Sequence, residues 1–154
     1  MRVKRMIIAA LWILCVVIAS IRIEEMTGAR LNICLASLIA LSFFLTIEEM
    51  FLMGAWALLV VNTEPTPARE TFLYILIPLA VLIAHHAFPL RRSLNAIGAA
   101  WIAIVVFGVA VNYAFVVASP LFVILDACAG ALVAGGVFQS MEWAYHEEHV
   151  RQRA

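Results

Sequence analysis

The stretch Phe44-Leu-Thr-Ile-Glu-Glu-Met-Phe51 puts two adjacent carboxylates inside an apolar run that otherwise reaches from Leu31 to Asn62. Either Glu48 and Glu49 are charges in the middle of one membrane helix, which would mark a functional site by default, or one helix stops here and another begins. A single helix over the whole run would be about 48 Å long, against about 30 Å of hydrocarbon. Thr46-Ile-Glu-Glu49 also fits the capping box, in which Thr46 and Glu49 each bond the other's backbone N–H. Acids in a first helical turn suit the positive end of the helix dipole. The pattern predicts a helix start at Thr46, with Glu48 and Glu49 serving it as caps first and as a site only second.

The surrounding composition sets the class. Of 154 residues, 66% are hydrophobic and 13% charged, whereas a soluble domain carries about 45–50% and about 25%. This predicts an all-α, polytopic membrane protein with a single transmembrane domain, 1–154. The formal net charge of zero argues against nucleic acid as a partner and leaves the lipid bilayer and other membrane subunits. Turn signals at Thr27-Gly28, the Asn62-Thr-Glu-Pro-Thr-Pro67 loop, Phe88-Pro89 and Ser119-Pro120 divide the chain into six spans. They are expected at about 6–21, 31–45, 47–61, 71–88, 96–118 and 121–140, with a charged tail at 141–154. The second and third fall short of the usual minimum of about 17 residues.

Charge bias supports six crossings over five. With six, Arg2, Lys4, Arg5, Arg91, Arg92, Arg151 and Arg153 share one side and only Arg22, Arg30 and Arg69 the other. By the positive-inside rule the first side is cytoplasmic. The expectation is a bacterial-type inner membrane protein with both termini in the cytoplasm. The N-terminal Met-Arg-Val-Lys-Arg and the apolar stretch after it resemble a signal peptide, but Ile21-Arg-Ile-Glu-Glu25 offers no small-x-small cleavage site. Cys15, Cys34 and Cys128 are far apart and form no C-x-x-C pair, so they read as buried small hydrophobes.

Three constellations are candidates for chemistry. Asp126 lies inside the last expected span, and Asn112 at a similar depth before the Ser119-Pro120 turn. They are expected to form an intramembrane polar pair, read as a structural clasp rather than a proton or substrate site. Small residues recur in register at Ala127, Gly130, Ala131, Ala134 and Gly135, a pattern that lets helix backbones approach closely. It serves either packing within this protein or contact with another subunit. The six-span topology also gathers His85 and His86 with the tail residues Glu142, His146 and His149. On a helix the last three share a face and could ligate a divalent metal. The preferred reading is an amphipathic helix end with Trp143 and Tyr145 at the headgroups, and no metal or cofactor is expected. No phosphate-binding glycine loop or nucleophile–base pair is present to name a reaction.

Laid out in this order, the features resemble the rod shape-determining membrane protein family MreD over nearly the whole chain. The likeness lies in a short first span, Thr27-Gly-Ala-Arg-Leu-Asn-Ile-Cys34 entering the second, and Glu48-Glu-Met-Phe-Leu-Met-Gly-Ala-Trp-Ala-Leu58 forming the third. Leu125-Asp-Ala-Cys-Ala-Gly-Ala-Leu132 then runs into a charged tail. Leu31 stands where that family usually has Pro, and Asn62 near its usual Asp. The resemblance implies a non-catalytic scaffold subunit of the cell-wall elongation machinery. A second, local resemblance links Thr46-Ile-Glu-Glu-Met-Phe51 to the Pro-x-Glu-Glu motif of membrane lycopene cyclases, with Thr46 in place of the Pro. It implies proton donation to a polyene by Glu48 or Glu49. A small transporter component is a further alternative.

Overall fold

The computed structural model describes residues 2–27, 31–61, 69–84 and 92–151, with side chains over 6–27, 31–60, 72–84 and 93–144. Among the described residues there are six helices and no strand: α1 (Arg2–Thr27), α2 (Ile33–Ser42), α3 (Ile47–Val61), α4 (Arg69–Ala84), α5 (Arg92–Ala118) and α6 (Pro120–Arg151). Three segments are long and apolar enough to cross a membrane: Met6–Thr27, Ser93–Ala118 and Pro120–Ala144. Large apolar side chains point outward all along the bundle, among them Leu11, Leu59, Phe72, Leu76 and Leu132. Such a surface belongs in lipid.

The helices differ in places from the expected spans. The first does not stop at residue 21; it continues to Thr27, where Arg22 and Glu25 pair at 3.0 Å one turn apart on the exposed face. The last continues without a break to Arg151, past the expected end at 140. The second is helical over only ten residues, about 15 Å. That is about half the hydrocarbon thickness.

This short α2 is the centre of the protein. Its sequence, Ile33-Cys-Leu-Ala-Ser-Leu-Ile-Ala-Leu-Ser42, is apolar on every face, and a helix of that kind has to be buried all round. All ten residues are buried, and α1, α3, α4, α5 and α6 pack around them. The two serines return their hydroxyls to the helix itself, Ser37 Oγ donating to the Ile33 carbonyl (2.9 Å) and Ser42 Oγ to that of Ile39 (2.7 Å). Neither hydroxyl is therefore left unsatisfied in the core.

Helix α2 lies parallel to α6 at a constant register. Asn32 meets Asp126, Ala36 meets Gly130 and Phe44 meets Phe138, each pair 94 residues apart. So Asn32 stands about 9 Å along α6 from Pro120, six residues at about 1.5 Å each, and α2 ends at Ser42, level with Gly136. Helices α5 and α6 are joined by the Ser119-Pro120 turn and run antiparallel, with Ile104 against Gly130 and Ile97 against Gly135. Beside the first turns of α6, where a full-length second helix would stand, α2 is missing. That shortfall creates the site.

Candidate functional site: a capped half-helix and the cleft beside it

At the C-terminal end of α2 the chain turns back through Phe43–Leu45, with Phe44 and Leu45 both donating their N–H groups to the Leu41 carbonyl (2.9 and 3.1 Å). The expected capping box follows. Thr46 N–H donates to Glu49 Oε2 at 2.9 Å, and Glu49 N–H to Thr46 Oγ1 at 3.4 Å. Glu49 is buried and Glu48 exposed. The two carboxylates therefore open a separate helix, α3, rather than interrupt a longer one.

The N-terminal end of α2 is held differently. Asn32 occupies the N-cap position, yet its side chain makes no bond to its own helix. Instead its backbone N–H donates to Asp126 Oδ1 (2.9 Å) and its amide Nδ2 to Asp126 Oδ2 (2.7 Å). Tyr74 Oη of α4 donates to Asn32 Oδ1 at 3.4 Å. A carboxylate from α6 thus sits at the positive end of the α2 dipole and accepts a backbone N–H that has no partner within its own helix. Non-helical backbone at membrane depth is tolerated only where protein buries it or it lines a cavity. Asn32 meets that condition through Asp126.

Asp126 is buried, with 5% of its surface exposed, but its partner differs from the one expected. Asn112 does not bond it. The α5 backbone leaves helical geometry at Asn112 (φ −150°, ψ 78°), and Asn112 Oδ1 accepts the N–H of Phe115 at 3.0 Å. Asn112 is the cap of a restarted final turn of α5. What the two polar residues share is a cleft of about 130 Å³, lined by Asn32, Asp126 and Asn112 together with Phe107, Phe115 and Phe122. Phe115 and Phe122 meet edge to face across the turn at 5.7 Å, and Tyr74 meets Phe107 in the same way at 5.3 Å.

The small-residue stripe lies inside the protein. Ala127, Gly130, Ala131 and Ala134 are buried and Gly135 lies against Ile97. A Cβ at Gly130 would stand 3.3 Å from the Ala36 Cβ and collide with the Ile104 side chain, so glycine here sets the spacing of α2, α5 and α6. Cysteine burial corrects the expectation: Cys34 is buried, while Cys15 and Cys128 are exposed on the bundle surface. All three are free thiols.

Among the described residues no group of three metal-ligating side chains occurs. His85 and His86 lie outside the described residues, as do the side chains of His146 and His149; Glu142 is exposed on α6. The residue that sequence reasoning missed is Asn32. Placed at the outer end of the expected span 31–45, it should sit about six residues, or about 9 Å, above Asp126, whereas the two lie at one level. Comparison with protein families, curated proteins and solved structures finds no match to this chain.

Proposed function

We propose that the chain is a non-catalytic integral membrane subunit that scaffolds a larger complex, and that the MreD resemblance names the complex as the cell-wall elongation machinery. One observation carries the reading: the two acids buried among the described residues, Glu49 and Asp126, each hold a helix start. Acid catalysis at Glu48 and Glu49 would instead call for a protonatable pair facing a substrate cavity, whereas Glu48 is exposed and Glu49 closes a capping box. The unbroken run of α6 beyond its apolar segment, from Ala144 to Arg151, offers a handle for a partner outside the hydrocarbon.

In this reading both termini are cytoplasmic; α2 running parallel to α6, and α5 antiparallel to it, agree with an even number of crossings. Cysteine labelling at Ala154 and Thr66 tests the topology, with Ala154 reached only from inside and Thr66 only from outside. For the function, the tagged full chain is purified from its own membranes in mild detergent, and the cells are depleted of it. Wall-elongation proteins should co-purify and depleted cells should lose rod shape. Purification without partners from cells of unchanged shape rejects the proposal.

A further inference from the structure

We infer that the cleft beside Asp126 binds a primary alkylammonium group. Asp126 is buried and fronts the cleft, yet both hydrogen bonds to it come from the neutral Asn32, and among the described residues no Lys or Arg pairs with it. The N-terminus of α2 offsets at most about half a unit charge. A carboxyl group at this depth either takes up a proton or needs a compensating cation to ionise. Among the described residues Asp126 has its hydrogen bonds but no counter-charge.

The geometry selects the kind of cation. A carboxylate has about four acceptor positions, of which Asn32 takes two, leaving room for an ammonium N–H. Phe107, Phe115 and Phe122 line the same cleft, and aromatic faces attract a cation within about 6 Å of the ring centre. Their apolar surface suits a short hydrocarbon chain as well. A hard metal ion would want about six oxygen ligands, more than Asp126 and Asn112 provide. At about 30 Å³ for each water-sized group, a cleft of about 130 Å³ admits the ammonium and about three carbons, a fourth standing at its mouth. The group can belong to a soluble amine or to the headgroup of an ethanolamine lipid; the recognition chemistry is the same.

The test is thermal unfolding of the full chain in uncharged detergent with increasing n-butylammonium chloride, against n-butanol and sodium chloride. Ligand binding to the folded state alone raises Tm in a saturable way, here by about 3 °C or more on the scale where about 1 kcal/mol moves Tm by about 2–4 °C. The rise should be absent with butanol and with sodium, and lost in Asp126→Asn. Val111→Trp, which fills the cleft and leaves the Asn32–Asp126 bonds in place, should lose it too and covers the case in which Asp126→Asn fails to fold. No rise with butylammonium, an equal rise with butanol or sodium, or an undiminished rise in either variant overturns the inference. An Asp126-dependent rise when phosphatidylethanolamine replaces phosphatidylcholine in the micelle assigns the group to a lipid; a rise with butylammonium alone assigns it to a soluble amine.

Discussion

Glu49 and Asp126 are both buried acids that secure the start of a helix, Glu49 across three residues of chain and Asp126 across 94. Glu49 begins α3 from within its own first turn, where Thr46 reciprocates. Asp126 holds the start of α2 from another helix, and Asn32 in turn hangs from Tyr74 on a third. The first arrangement is complete in any peptide carrying the motif. The second exists only after α2, α4 and α6 have packed. The local cap should therefore contribute a modest, separable increment, and the distant one should be coupled to the whole bundle.

The comparison fails at once if Asp126 proves dispensable. Asp126→Leu strands the Asn32 backbone N–H and its amide in an apolar interior. At about 1–3 kcal/mol for each unsatisfied donor, the expected loss is about 4 kcal/mol, read as a collapse of folded yield and of Tm in detergent. Asp126→Asn keeps an acceptor for one of the two donors and should be tolerated far better. Similar behaviour of the two variants would mean that hydrogen bonding to Asn32 is not what the residue contributes.

Asn32→Ala removes the side-chain half of the contact together with the acceptor of the Tyr74 hydroxyl and should cost about 2 kcal/mol, in the range for hydrogen bonds to charged groups. Combined with Asp126→Leu it should add little, because the two act as one unit. Full additivity would separate them and break the comparison from the other side. Gly130→Leu tests the close approach that lets the pair form. Overpacking against Ala36 and Ile104 should cost about 1–3 kcal/mol. The same change at Gly136, where an added Cβ meets nothing within 4 Å, should stay within about 0.5 kcal/mol.

The same contrast explains how much could be read from the chain alone. The break at Thr46 was legible because a cap and an acid at N3 stand within four residues, in a run visibly too long for one crossing. Membrane class and helix number followed from composition and turn signals for similar reasons. Asp126 stood out as an acid in an apolar segment, but its partner did not, since nothing local distinguishes Asn32 from Asn112. Choosing between them requires the length of α2, and that length is set by where five other helices leave room for an apolar rod. The role of Asn112 was hidden for a related reason: its side chain answers a break in α5 beside the cleft, and no Pro or Gly at that position announces one.

The smallest expected effect is the sharpest test of locality. Thr46→Ala removes the Thr46 side-chain acceptor and should cost about 1 kcal/mol, while Glu49→Gln keeps a group able to accept the Thr46 N–H and should be close to neutral. Both are measured as Tm in detergent alongside complementation in cells. Glu48→Gln, on the exposed side of the same turn, should change neither. The capping box and the Asn32–Asp126 contact lie at opposite ends of α2, about 15 Å apart at ten residues of about 1.5 Å. Sites more than about 7–10 Å apart with no shared partner add to within about 0.5 kcal/mol. Thr46→Ala and Asp126→Asn should therefore sum in the double variant. A shortfall or excess well beyond that margin would show α2 transmitting strain from one end to the other, and Glu49 would then belong to the same coupled unit as Asp126. Loss of function in Glu49→Gln at unchanged Tm would instead give the acid itself a chemical role and revive proton donation at this turn.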